Sequence, residues 1–239
     1  MAIALRRARQ HHPEQETVAS GGPLRNLMLG LNDGLVASFA VTSGVAGAFS
    51  TSRVVVMAGV AEMLGGAISM GMAGFISVRS EAEFYQSEIE RERDEIARWP
   101  ERERDEVRAI YRQKGFAGAL LDQIVAHITA DVERWSNVMM REELGLHRER
   151  IEKPSHSGLL VGSSYLGGAL IPVLPYVFLP PAIGIAVSAL ATVGALFAVG
   201  AAKTVITAGR WWKSGLESMA TGIVAAAVTY GAGRVFASR

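Results

Sequence analysis

The sequence predicts an all-α membrane protein of five transmembrane helices, with a three-helix insert between the second and third. Three observations carry this: apolar runs of membrane-spanning length, strong segregation of charge, and amphipathic helical periodicity confined to one stretch. A bilayer core of about 30 Å needs about 20 apolar residues in a helix. The 239-residue chain offers such runs near 27–49, 54–78, 157–178, 181–208 and 214–236. Of its 23 acidic residues, 18 lie between Glu81 and Glu152, where only 12 Lys and Arg accompany them. A formal charge of −6 is thus concentrated there, beneath a whole-chain net of +1. A soluble chain spreads its charge, because every helix needs a wet face. As core helices of a soluble protein, these runs would leave too little amphipathic sequence to cover them.

The first 23 residues, with Arg6, Arg7, Arg9, His11 and His12, lack the apolar region of a cleaved signal peptide. They are expected to form a mobile cytosolic tail, and the first span to act as its own insertion signal. Residues 24–79 then hold spans one and two. The insert, 80–153, reads as helices over Ser80–Arg98, Glu101–Lys114 and Ala117–Leu144. Proline disfavours helix in the residue before it and can itself start one, so Trp99-Pro100 separates the first two. Gly115 and Gly145 end the second and third. Leu120, Leu121, Ile124, Val125, Ile128, Val132 and Trp135 recur at helical spacing and give the third helix a packing face. Residues 154–239 hold spans three to five. No charge occurs between Gly158 and Ala202, and a turn over Pro172–Pro181 divides that stretch into two spans.

Positive residues favour the cytoplasmic side. Arg6, Arg7, Arg9 and Arg25 precede the first span, and Lys203, Arg210 and Lys213 join the fourth to the fifth. The expected topology has the N-terminus and the insert in the cytosol. Cysteine is absent, so neither disulfides nor thiolate ligands are available.

Two carboxylates interrupt the spans. Asp33 sits in Asn32-Asp33-Gly34, which is expected to loosen the first helix along a path, and Glu62 lies near the middle of the second span. An ionisable group in hydrocarbon costs at least about 2.5 to 3.5 kcal/mol, so one retained there needs a role. Ser69 falls almost above Glu62 on a helix, with Met70 beside that stripe. Oxygen and thioether donors together suit a borderline ion such as Fe²⁺ better than Ca²⁺ or Mg²⁺. Gly30 and Gly34, like Gly158 and Gly162, form small-xxx-small patterns that permit close helix contact.

In the insert, Glu92 and Glu95, and again Glu103 and Glu106, are spaced i, i+3, which puts each pair on one helix face. The break at Pro100 lets the four carboxylates converge. Arginines at 91, 93, 98, 102 and 104 offer another reading, a salt-bridged and solvated face. His127 is expected to pack and His156 to sit at the membrane interface.

Asn32-Asp33-Gly34-Leu35-Val36, the Met-Gly repeats between Glu62 and Met72, the E-x-x-E-x7-E-x-x-E pattern of the insert, and Met139-Met140 with Glu143 resemble the vacuolar iron transporter family from about residue 24 to the end. The resemblance implies a stand-alone, five-span homodimer that exchanges Fe²⁺, and often Mn²⁺, for protons and moves metal out of the cytosol. It implies metal capture by Glu92, Glu95, Glu103, Glu106, Glu143, Met139 and Met140. The implied translocation path uses Asp33, Glu62 and Met70. Divalent metal, protons and membrane lipid are the expected partners. Neither a prosthetic group nor a nucleic acid is expected. A bacterial plasma membrane fits as well as a vacuole. Two other readings are a membrane-bound metal sensor or chaperone, and a di-iron oxidase. The oxidase usually needs Glu-x-x-His pairs, which the insert lacks.

Overall fold

A computed structural model describes residues 13–147, 151–204 and 209–238, with side chains from residue 22 onward. The chain-terminal residues Arg6, Arg7, Arg9, His11 and His12 and the end of the expected fourth span, 205–208, lie outside the described residues. Among the described residues there are eight helices and no strand: α1 (Pro13–Ala48), α2 (Ser52–Arg98), α3 (Pro100–Gln113), α4 (Gly118–Thr129), α5 (Val132–Glu142), α6 (Pro154–Phe178), α7 (Pro181–Ala202) and α8 (Trp211–Ala237). Five of them, α1, α2, α6, α7 and α8, are long and apolar enough to cross a membrane. The chain divides into two compact units, a span unit (1–76 and 154–239) and an insert unit (77–153).

Within the span unit α6 is the most buried helix, and glycines explain how. Gly30 and Gly34 of α1 face the α6 backbone so closely that a Cβ on Gly34 would lie 2.2 Å from the Tyr165 carbonyl oxygen. On another face of α6, Gly158 and Gly162 meet Gly71 and Ala67 of α2 in the same manner. Both small-residue patterns therefore lie at helix crossings, where dispersion between close backbones replaces the hydrophobic drive that lipid does not supply. A buried hydrogen bond from Asn26 to Ser157, 3.0 Å, ties α1 to α6 again. Gly34→Ala is expected to force this crossing apart at a cost of roughly 1–3 kcal/mol. Gly194→Ala, where nothing lies within 4 Å, should be neutral or slightly stabilising. Thermal unfolding of the two purified variants compares them directly.

The outer surfaces carry large apolar side chains such as Leu159, Phe178, Leu190 and Phe236, each about three-quarters exposed. In water such a surface is an aggregation liability. Hydrocarbon requires it.

Three local expectations need correction. The helix is not loosened at Asn32-Asp33-Gly34: α1 continues through it, because Gly34 is used for the close approach to α6. The turn expected over Pro172–Pro181 shrinks to Leu179-Pro180, since α6 runs through Pro172 and Pro175. The carbonyls these prolines leave without an intrahelical partner are those of Gly168 and Ile171, and the Ser188 hydroxyl donates to the Pro172 carbonyl at 2.8 Å, tying α7 to α6 across the prolines.

The third correction concerns the insert. Its first expected helix is the continuation of α2, and its third is two helices, α4 and α5. Asp131 causes the break: its backbone is extended and its side chain accepts from the Arg134 amide, an N-cap that starts a new helix. A core of Ile96, Val107, Leu121, Val125, Ile128, Trp135 and Met139 holds these elements together. Leu120 and Val132 stay outside it, and His127 is exposed rather than packed. Gly145, at φ +65°, follows α5 in the left-handed conformation that glycine adopts without strain.

Candidate functional site

In the span unit the site is built around Glu62 on α2. The Tyr165 hydroxyl of α6 donates a hydrogen bond to Glu62 Oε1, while Glu62 Oε2 is buried with no hydrogen-bond partner. The ring reaches across because α2 has a glycine one turn beyond Glu62; a Cβ on Gly66 would lie 2.2 Å from the tyrosine oxygen. Met63 and Met70 pack around Tyr165 with Ala67, and Ala37 of α1 joins them. Asp33, half-buried one turn before Ala37, is near enough to act on Tyr165 electrostatically. Ser69, which helical phase aligned with Glu62, is exposed instead.

One carboxylate oxygen held by a phenol and another left open form a station that a cation or a proton can occupy. Tyr165 was missed by the sequence reading. Its signal was an aromatic hydroxyl in a charge-free span, since a buried Tyr O–H needs a partner. Tyr165→Phe is expected to free Glu62 to rotate and to slow the metal transport that the family resemblance implies about 10- to 100-fold, the usual cost of losing an outer-shell partner. Metal flux into proteoliposomes measures it, and Gly66→Ala, which displaces the hydroxyl, should act in the same direction.

In the insert unit α2 ends at Arg98 and α3 begins at Pro100. Trp99, at φ −132° and ψ 55°, is the hinge that proline imposes. Across it Glu92, Glu95 and Glu103 converge, each offering an oxygen within 4.8 Å of the other two. Glu92 and Glu103 are each 1% exposed. Glu92 Oε1 and both oxygens of Glu103 lack a hydrogen-bond partner. Burial, and then the carboxylates of Glu103, Glu143 and Glu95, push Glu92 up from 4.5 to about 7. Burial also raises Glu103, followed by the charges of Glu106 and Glu95. Glu143 is raised by burial and by Glu106.

The arginines take a different part of this surface. Arg91 bridges Glu88 at 2.7 Å and Glu95 at 3.0 Å, and Arg102 bridges Glu106 at 3.1 Å. The salt-bridged reading therefore holds for Glu95 and Glu106 at the rim, reaches the buried Glu103 only as a 4.0 Å contact with Arg102, and fails for Glu92. Carboxylates buried without donors are costly unless a cation joins them. Their oxygen set suits a divalent ion.

Met139 and Met140 are fully buried on α5, Met139 in the insert core and Met140 against Tyr85 and Ile89. Met139 precedes Glu143 by one helical turn and so shares its face.

Membrane-length helices, a carboxylate held among them by a tyrosine, and a second buried carboxylate cluster define a multi-span membrane protein with buried carboxylates in both units. The chain belongs to the VIT family, whose family model matches residues 24–234. It is 34% identical over 237 residues to "Vacuolar iron transporter 1" of Oryza sativa subsp. japonica, covering 99% of this chain and 94% of that protein. To the Arabidopsis thaliana protein of the same name it is 35% identical over 221 residues, 92% of this chain and 88% of that one. It is also similar to "Protein CCC1" of Saccharomyces cerevisiae, at 28% over 217 residues, 87% of this chain and 67% of that protein.

Proposed function

We propose that this chain is a secondary active transporter that exchanges Fe²⁺, and also Mn²⁺, for protons and removes metal from the cytosol. The observation that carries the reading is the pair of carboxylate stations, each with buried oxygens left open: Glu62 in the span unit and Glu92 with Glu103 in the insert unit. Family membership supports iron as the substrate, since the two plant relatives above are named vacuolar iron transporters.

In this reading Glu92, Glu95, Glu103, Glu106 and Glu143 gather metal with Met139 and Met140, and the 80–153 segment is a cytoplasmic metal-binding domain. Asp33, Glu62 and Met70 line the translocation path, with Tyr165 fixing the Glu62 carboxylate. A proton and a cation compete for one carboxylate oxygen, so alternate occupancy of Glu62 couples their movements. The protein acts as a homodimer in a lipid bilayer, the plasma membrane of a bacterium or the vacuolar membrane of a eukaryote. Arg25, Lys203, Arg210 and Lys213 mark its cytosolic side by the positive-inside rule. A sensor or chaperone without transport would leave the Glu62–Tyr165 pair unexplained.

The test is reconstitution into liposomes under an imposed pH gradient with a panel of divalent ions. Fe²⁺ and Mn²⁺ should enter with opposite proton movement. Metal binding without uptake would overturn transport, and uptake without proton movement would overturn the coupling.

A further inference from the structure

We propose that the span unit carries a binding site for one anionic phospholipid, seated between α1, α7 and α8. A cavity of about 660 Å³ opens there. Its α1 wall repeats at helical spacing through Arg25, Met28, Leu29 and Asn32; Lys203, which caps the end of α7, and Glu217, Ser218 and Thr221 of α8 complete the polar lining. Arg25 and Lys203 supply two cations against the single carboxylate of Glu217, so the lining is net positive. Met28, Leu29 and Val199 give it an apolar side. Two cations above an apolar wall match a phosphate headgroup with its first acyl carbons, and basic pockets between spans bind anionic lipid heads in this manner.

Depth supports the same occupant. Trp211 and Trp212 stand exposed at the start of α8, and tryptophans of this kind sit at headgroup level. Glu217 and Thr221 lie about 9 and 15 Å along the helix from Trp211. The cavity thus runs from the interface into the hydrocarbon, as one lipid does. On α1 the lining runs inward from Arg25 to Asn32, the residue before Asp33, so the lipid rests on the helix that bears a membrane carboxylate.

The full chain, delipidated in detergent, is titrated with dioleoylphosphatidylglycerol, with dioleoylphosphatidylcholine and with inorganic phosphate. Thermal unfolding and native mass spectrometry are the readouts. Phosphatidylglycerol should raise the Tm and remain bound at one per chain, while the other two do neither. Arg25→Gln with Lys203→Gln should weaken retention about 30-fold, from the loss of two interfacial cations. Lys213→Gln, whose ammonium lies 6.0 Å over Trp212 and outside the lining, should leave it unchanged. Should the double variant fail to fold, Thr221→Phe keeps both cations and fills the cavity, and it too should displace the lipid. Undiminished phosphatidylglycerol retention in whichever of these folds overturns the proposal. Equal stabilisation by phosphatidylcholine or inorganic phosphate overturns it as well, the first denying the role of charge and the second that of the acyl chain.

Discussion

Glu62→Gln is expected to stop metal translocation while metal capture by the insert unit continues. Glutamine keeps the length of the side chain, and its carbonyl still accepts from Tyr165. What it loses is the charge and the second open oxygen, the atom that lies buried without a partner. Loss of an outer-shell residue costs 10- to 100-fold, so loss of a direct ligand should lower flux by more than about 100-fold. Asp33→Ala should have the same outcome by removing the other carboxylate that acts on Tyr165. Mn²⁺ uptake and internal pH, followed together in proteoliposomes, report both fluxes. Flux undiminished in both variants would sink the proposed path. Equal loss of metal binding in Glu62→Gln would instead place its defect outside translocation.

How far the sequence foretold this site depended on which physical signal each residue left. The spans were legible because hydrocarbon thickness sets their length, and Asp33 and Glu62 because charge is rare among apolar residues. The Glu62–Tyr165 pair was not, since its partners are separated by 103 positions and only a tertiary crossing at Gly66 joins them. In the insert the i, i+3 spacing grouped four glutamates as equals, yet their burial differs. The signal that separates them was present. Glu92 falls three residues after Ile89 and four before Ile96, and Glu103 four before Val107, so both lie on the apolar stripe. Glu95 and Glu106 sit one residue before Ile96 and Val107, about 100° off it. The same charge pattern that suggested a solvated face thus described only its rim. Helix continuity at Asn32-Asp33-Gly34 was hidden for a related reason: a triplet that reads as a turn in water is held helical by a close neighbour.

Metal should stabilise the protein at pH 7.5 and barely at pH 5.5, and Glu103→Gln should abolish that response while making the metal-free protein more stable. The sign follows from Glu92, whose folded-state value of about 7 exceeds its ordinary 4.5. The protonated carboxyl is favoured by the fold, so the stability it contributes is full below about pH 4.5 and lost as pH rises through about 7. At neutral pH the ionised cluster costs the metal-free protein on the order of 3 kcal/mol through Glu92 alone. Glu103 and Glu143 are raised in the same direction and add to it. A divalent ion reverses this cost by neutralising the oxygens, and at 100 times its Kd stabilises by about 2.7 kcal/mol. At pH 5.5 protons already occupy Glu92, and the metal must displace them. Glu103→Gln removes one buried charge and supplies an amide N–H toward its neighbours, which relieves the repulsion and leaves too few anionic ligands for the ion. Thermal unfolding with and without Mn²⁺, at both pH values, reads all of these. A metal response of equal size at the two pH values would refute the buried-carboxylate site, as would a metal-free Glu103→Gln protein less stable than the parent at pH 7.5.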